Sequence, residues 1–559
     1  MCGIFGGYNI SSKICEDSIN LIDRGNDGIS ISELEKDIFF AARRHLIKIS
    51  GLEDKFNQKS DQPYYSEDNN IAIVFNGEFY NFEEYKKDLV KKGIKFKTSG
   101  DTEVFLKLYE LKGISFLEDK NIDAFFSIAI YDKRINKLFI ARDWPGRVPL
   151  FYLYNENRFI FSSELKGFRG VPNISLQQPI ELEPGHYVEF DLKSKNITKI
   201  KYFTPSPAIL EQKNKDIFKI GQKLHLLLDS SSRNRTMGDV PICTMLSGGI
   251  DSLLTTFYVF NNINFSNKDY LPTSYVFQVE GFDSIDVERA KIAAKGFSEI
   301  GLKLKIITAT KKQIIEDAPK IINSFEMREL KALSFYPLPI YWYLGPEMKK
   351  DGFKVTIGGH GVDELLGAYD SWKELDKPHS VQVRLASRLA FINKIYFNMM
   401  KRASVIFMNR GPIEARFPFL RPEVCEYMLA IDKKWLELNP QNAEIAIDLI
   451  EKSKSKNIEN IKKLLINYLN DQKNFFEKNN GNEDGYELQK IFWKFPLIVS
   501  SFFASQESFL KFDLVFRPKL RGQHGAGITS IEKDLVKHYR TYGNNDIDVF
   551  KNMSLEIFK

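Results

Sequence analysis

Cys2 is the residue whose position points most directly to chemistry. A methionine ahead of a small residue is readily trimmed, and its removal leaves Cys2 with a free α-amine. That amine titrates near ~8 and sits close enough to act as general base for its own thiol, the logic of an N-terminal nucleophile. A second-position cysteine alone carries little weight, so the case rests on the motifs downstream of it. The second chemical constellation is Leu246-Ser247-Gly248-Gly249-Ile250-Asp251-Ser252, between the apolar run Val240–Met245 and the helical stretch Leu253–Phe260. A strand, a glycine-rich turn and a helix N-terminus suit a phosphate. Glycines let backbone N–H groups approach the oxygens, and the helix dipole favours the anion. The loop has no Walker lysine, so P-loop kinase chemistry does not follow.

The elements that must position these residues are readable in outline. The chain has 559 residues, 43% apolar and 27% charged, with a net charge of +6. At roughly 150 residues per domain this is several domains or two large ones, with ample surface for a core. Cys2, Cys15, Cys243 and Cys425 are far apart with no C-x-x-C pair, which excludes a disulfide framework and a zinc ribbon and suits a reducing compartment. No basic block indicates direct nucleic-acid binding. No run of about 18 apolar residues indicates a membrane span, so a cytoplasmic location is expected.

Residues 1–205 read as short strands with interspersed helices. Hairpins are expected at Phe125–Tyr131 with Lys137–Ala141, and at Val148–Tyr154 with Arg158–Ser162; helical periodicity covers Phe82–Lys92 and Glu103–Leu111. The proline-punctuated stretch at Phe203–Pro207 reads as a linker. Beyond it, the amphipathic helix Ile217–Arg233 leads into alternating strands and helices: Val240–Leu246, Ser274–Val279, Ile285–Lys295, Lys303–Thr308, Lys311–Ser324 and Val355–Ile357. That alternation predicts a parallel sheet covered on both faces. Past about residue 370 the chain is mostly helical, and residues 452–486 read as a solvated helical face with a loose loop at Lys478–Asp484.

Cys2-Gly3-Ile4-Phe5-Gly6 is followed by Arg24-Gly25-Asn26-Asp27-Gly28, Phe75-Asn76-Gly77-Glu78-Phe79-Tyr80-Asn81 and Ser99-Gly100-Asp101-Thr102-Glu103. Then come Ala141-Arg142-Asp143, Pro145-Gly146, Pro149-Leu150 and Phe161-Ser162-Ser163-Glu164. In this order and spacing, residues 1–170 resemble the class II glutamine amidotransferase domain, an N-terminal-nucleophile hydrolase. The resemblance implies that Cys2 attacks the glutamine side-chain amide while the Asn76 amide and the Gly77 N–H form the oxyanion hole. It implies that Asp101, with Glu78 nearby, meets the substrate ammonium and that Arg43 or Arg44, Arg44 for preference, meets its carboxylate. His45 intervenes where the family's arginine is usually followed by an apolar residue; Asn26 replaces a common proline, and Val148 a common lysine. Arg24 and Asp27 are expected to form a salt-bridged turn.

The Ser247–Ser252 loop resembles that of the ATP pyrophosphatases, which form acyl-adenylates. Ser274–Val279, with Val276 at its centre, resembles the strand that holds adenine through its backbone. Glu326 with Pro339-Ile340-Tyr341 resembles an acceptor-site helix. The run Gly359-His360-Gly361-Val362-Asp363-Glu364 through Tyr369, the stretch Gly411–Leu420, and Arg517-Pro518-Lys519 all resemble segments of glutamine-hydrolysing asparagine synthetases. Across the whole chain this implies an amidotransferase domain at 1–205 and a PP-loop synthetase domain at 215–559. The fold class is α/β: a four-layer αββα domain, then a parallel-sheet domain with a helical C-terminal part.

The resemblance further implies ATP and Mg²⁺ as cofactors. Leu246, Ser247, Gly248, Gly249, Asp251, Ser252, Val276 and Gly359 bind nucleotide, Asp251 and Asp363 hold the metal, and Lys519 neutralises charge during adenylation. The partners are glutamine, ATP and an acceptor, with a homodimer left open. His360 stands where the family carries an acceptor-pocket glutamate, and as a base near neutrality it could replace it. Arg421 for aspartate, and Met327-Arg328-Glu329, are read as further changes to that pocket. Three readings stay open: aspartate as acceptor; another acceptor, such as a different carboxylate, a nucleobase nitrile or amide, or a modified nucleotide precursor; and a glutaminase with a decayed synthetase half. A β-lactam-synthetase-type cyclase is disfavoured because those enzymes need no Cys2 site.

Overall fold

A computed structural model describes residues 1–47, 61–155, 158–203, 216–366, 400–436, 440–453, 458–478, 494–506, 510–516 and 522–559. The linker past Phe203, the loop past Lys478, Gly367–Tyr369 and Arg517-Pro518-Lys519 lie outside them.

The first part carries strands β1 (Gly3–Tyr8), β2 (Gly28–Glu35), β3 (Ile38–Arg44), β4 (Tyr64–Tyr65), β5 (Ile71–Phe79) and β6 (Ala124–Asp132). It continues with β7 (Lys137–Arg142), β8 (Phe151–Asn155), β9 (Arg158–Ser162), β10 (Ile180–Glu181), β11 (His186–Asp191) and β12 (Ile197–Lys201). They form two six-stranded sheets, ordered β10-β8-β9-β1-β3-β2 and β12-β11-β7-β6-β5-β4. Alternation along each strand stacks them. Ile4, Phe40, Ala42, Val74, Ala129 and Ile140 fill the space between the sheets. Phe5, Phe39 and Ala41 face out towards helix Ser12–Asn20, and Ile71, Ile73 and Phe75 towards helix Asp101–Lys112. The result is the expected αββα stack. One strand starts later than the sequence predicts, at Phe151 instead of Val148. Pro149 has no N–H to give to a ladder.

Strands β13 (Ile242–Met245), β14 (Thr273–Val279), β15 (Lys303–Ala309), β16 (Val355–Ile357) and β17 (Glu414–Arg416) form a parallel sheet ordered β15-β14-β13-β16-β17. The order reverses between β13 and β16, and in open parallel sheets the crevice outside the carboxyl ends at such a reversal is where ligands bind. The loops leaving those two strands are Leu246–Gly249 and Gly358–Gly361.

Several residues expected in an acceptor pocket instead join the two parts. Glu326 ends helix Lys311–Phe325 in the left-handed region (φ 56). Its carboxylate accepts from the Leu165 and Lys166 N–H groups at 2.8 and 3.1 Å. Arg328 donates to the carbonyls of Leu176 (3.2 Å) and Gln177 (2.6 Å). Arg421 lies 3.8 Å from the Asp123 carboxylate and donates to Ser230 at 2.9 Å. The sequence placed these groups by proximity to motifs, but packing turns their long side chains onto the neighbouring part. Among the described residues no helix is long and apolar enough to cross a membrane.

Candidate functional site

A cavity of about 160 Å³ opens beside Cys2, and its wall includes Arg44, His45, Gly77, Glu78 and Asp101. The ends of β1, β3 and β5 and the N-terminus of helix Asp101–Lys112 deliver these groups. The Cys2 thiol accepts a hydrogen bond from the His45 N–H at 3.4 Å. Burial pushes the thiol up, against the pull of the nearby N-terminal ammonium. A side chain at Gly77 would strike the Phe125 carbonyl, so glycine is needed there. Asp101 Oδ2 accepts from the Phe79 N–H at 3.1 Å, and burial raises its carboxyl to about 6.

The structure separates the two arginines. Arg43 donates to the carbonyls of Gly25 (3.0 Å) and Ile22 (2.5 Å) and so holds a loop. Arg44 lines the cavity and pairs with Asp61. Asn76 shares Val74's side of β5 and therefore points between the sheets. Its amide donates to Ser127 and Ser163, both at 3.3 Å, and it is not part of the cavity wall. Arg24 forms a buried ion pair with Glu164 (2.9 Å) and Asp27 lies 3.5 Å from the Lys354 ammonium, so each is paired outside the turn expected to join them.

Two residues of β17 reach this site. Glu414 accepts from the Met1 ammonium at 3.0 Å, and Arg416 bonds to Glu414 at 2.7 Å and lies 3.9 Å from Glu78. Burial and then Glu414 push the Glu78 carboxyl up, while Arg416 opposes them.

At the sheet reversal, Gly248 has φ +74, and a side chain there would meet the Arg289 backbone at 2.5 Å. Helix Ile250–Asn261 starts after Gly249 with no side-chain cap on its first N–H groups. The Ser252 hydroxyl lies 3.2 Å from the Ser247 hydroxyl and donates to the Gly249 carbonyl at 3.0 Å. The Leu246 N–H donates to the Tyr275 carbonyl at 2.9 Å, which puts Leu246, just past the end of β13, beside Val276 of β14. Gly359 packs against Asp251, where a Cβ would come within 2.8 Å of its backbone.

Asp251 and Asp363, from the first turns of the helices that follow the two loops at the reversal, converge on the Lys494 ammonium, which contacts Asp251 and lies 2.7 Å from Asp363 Oδ1. Burial works against that charge, yet the two carboxylates outweigh it and hold Lys494 above the ordinary lysine range. Two carboxylates meeting on one cation form a hard-oxygen donor set that fits Mg²⁺.

His360 lies half-buried beside them. Its Nε2 lies 2.8 Å from the Tyr341 hydroxyl, and its ring packs at a tilt against Phe417, with centroids 4.5 Å apart. Burial, then Arg402 and Arg147, lower its pKa to about 4. The ring is therefore neutral at pH 7 and a weaker base than an exposed histidine. Arg147 lies 4.1 Å from the Phe125 ring centre and 4.8 Å from that of Phe417, between the Cys2 cavity and His360.

Residues 1–214 match the glutamine amidotransferase domain family, and residues 223–401 match the asparagine synthase family. The chain belongs to the glutamine-hydrolysing asparagine synthetase family. A probable asparagine synthetase of Dictyostelium discoideum is 27% identical over 450 residues, 77% of this chain and 76% of the relative. The asparagine synthetase of Sandersonia aurantiaca is 27% identical over 80% of this chain and 81% of its own. Asparagine synthetase 2 of Bacillus subtilis reaches 31% over 48% of this chain and 41% of its own.

As a member of the asparagine synthetase family, the protein is a glutamine amidotransferase of the ligase class. The structure brings Cys2, Gly77, Glu78, Asp101 and Arg44 to one cavity, and the nucleotide-loop residues, Gly359, Asp251 and Asp363 together at the sheet reversal. Sequence reasoning missed Lys494, Arg147, Tyr341 as the partner of His360, and the contacts of Glu414 with Met1 and of Arg416 with Glu78 beside the Cys2 cavity. Glu414 and Arg416 belong to a stretch legible as asparagine-synthetase-like, but nothing in it says which cavity they face. Lys494 has no local signal.

Proposed function

We propose that this asparagine synthetase-family enzyme hydrolyses glutamine at Cys2 and passes the ammonia to a carboxylate acceptor that ATP has adenylated, with release of AMP and pyrophosphate. The Cys2 sulfur attacks the side-chain amide carbon, ammonia leaves, and water releases glutamate from the thioester. The His45 N–H on Sγ favours the thiolate. Gly77 is already in the wall as an oxyanion donor, whereas the Asn76 amide must turn from Ser127 and Ser163 to join it. Ionised Asp101 meets the substrate ammonium, and Arg44 exchanges Asp61 for the substrate carboxylate.

In the second site, the uncapped helix start and the Ser247–Ser252 loop receive phosphates, with Leu246 and Val276 at the adenine end. Asp251 and Asp363 would hold Mg²⁺, which supplies charge neutralisation on the pyrophosphate; Lys519 is assigned the charge that develops during adenylation. Neutral His360, tied to Tyr341, orients the acceptor by hydrogen bonding. The observation that carries this reading is the meeting of Asp251 and Asp363 beside the glycine loop at the sheet reversal. Pyrophosphate release with ATP, Mg²⁺ and glutamine, measured across acceptors including aspartate, tests it. ADP and orthophosphate as stoichiometric products would sink it.

An acceptor other than aspartate, such as a nucleobase or modified nucleotide precursor, is a second reading favoured by His360. Arg421 and Arg328 no longer support it, since their side chains hold the two parts together. Aspartate is therefore the first acceptor to test.

A further inference from the structure

Lys494 combines three features that a surface lysine does not share. Its backbone sits at φ 69, a left-handed conformation uncommon for a residue with a long side chain. Its N–H is fixed to the Leu436 carbonyl at 2.6 Å, directly ahead of helix Phe495–Gln506. Its side chain is 3% exposed, and its ammonium lies between Asp251 and Asp363. These carboxylates come from the first turns of the helices that follow the loops after β13 and β16, so without a cation between them they would repel each other across a partly buried gap. One ammonium therefore holds both nucleotide loops in register.

The same arrangement restricts the metal. A divalent ion held by Asp251 and Asp363 would compete for one small volume with the ammonium that contacts both carboxylates, since two cations there repel strongly at low dielectric. We propose that Lys494 is a resident counter-ion that excludes the divalent metal from Asp251 and Asp363 until ATP binds. The triphosphate then draws the ammonium off the carboxylates onto phosphate oxygen, and the metal enters with the nucleotide. A lysine suits this exchange, since it carries a compact charge on a flexible stem, while a guanidinium fork would stay locked to the carboxylates. The inference rests on the nucleotide-site reading and adds an order of binding to it. Order of this kind would keep the site from loading with bare metal.

The test is Mn²⁺ binding to the full chain, followed by the loss of the free-ion electron paramagnetic resonance signal and restricted to the component that Asp363→Asn removes. Wild type should take up no such Mn²⁺ without nucleotide and should take it up with a non-hydrolysable ATP analogue. Lys494→Met and Lys494→Gln should bind Mn²⁺ without nucleotide at least about 10-fold more tightly than wild type, and should bind metal-free ATP about 10-fold more weakly, as expected when one charged phosphate contact is lost. Uptake of Mn²⁺ by nucleotide-free wild type, with an affinity equal to that of the analogue complex, overturns the proposal even if both variants fail to fold. Failure of wild type to bind ATP in a separate calorimetric titration overturns the nucleotide-site reading instead.

Discussion

Arg421 Nε lies 3.8 Å from Oδ2 of Asp123, a carboxylate that also accepts from buried Arg235 at 2.6 Å. Asp123 belongs to the amidotransferase part and both arginines to the synthetase part, so a position legible as acceptor specificity serves instead to seat one part on the other. Glu326 and Arg328 do the same at a second place. The acceptor end of the site is left with His360 as its clear departure from the family pattern.

Interface and acceptor positions should therefore separate on mutation. Arg421→Asp places a carboxylate beside Asp123 and should lower stability by about 1–3 kcal/mol through like-charge repulsion and an unpaired Asp123 contact. The relative rates across an acceptor panel should stay unchanged. A shift in acceptor preference, with unfolding midpoints equal to wild type, would put Arg421 back in the pocket.

Cys2→Ala should abolish glutamine-dependent turnover and leave ammonia-dependent turnover, since the two sites carry separate chemistry. Assaying both nitrogen sources on the same preparation decides it. Wild-type use of glutamine by the variant would remove Cys2 as nucleophile.

Asp101, raised to about 6 by burial, must be ionised to receive the glutamine ammonium. The kcat/KM for glutamine should fall as pH drops through about 6, with KM carrying the change. Asp101→Asn should have a high KM at every pH and lose that limb. A limb that persists in the variant belongs to another group.

His360, held near 4 in the fold against the ordinary 6.5 of an exposed histidine, binds fewer protons folded than unfolded between those values. Its contribution to stability is thus present above about 6.5 and is lost as pH falls towards about 4, up to about 3 kcal/mol in all. Urea unfolding of wild type and His360→Gln across this window should show the smaller pH dependence in the variant. The same variant should retain acceptor turnover within about 10-fold, because an amide can replace a neutral hydrogen-bonding ring. A loss of about 10²–10⁴-fold is the signature of a general base and would restore that role to His360.

Asp251→Asn should cut pyrophosphate release by orders of magnitude, since a metal ligand loses its charge, while glutaminase activity at Cys2 stays near wild type. Equal loss of both activities would mean that the substitution acts on folding.

Local chemistry was legible in the order of the residues. Cys2, the Asn76-Gly77-Glu78 run, Asp101 and the strand, glycine loop and helix start at Val240–Phe260 can be read directly because their backbone geometry is local. Gly248 shows the link: its positive φ and its close approach to Arg289 are requirements a short segment must meet wherever it sits. The alternation of strands and helices likewise predicted a parallel sheet, and so the kind of crevice that receives nucleotide. Pairings across long separations were settled by packing alone. Lys494 meets Asp251 at a distance of 243 residues along the chain, and Glu414 and Arg416 of the edge strand β17 meet Met1 and Glu78 of the other part. Strand parity turned Asn76 between the sheets, and burial beside two arginines kept His360 neutral. A pattern in one segment carries no information about the direction in which a long side chain leaves it, or about the charges it meets there; those are set when separate elements pack and exclude water.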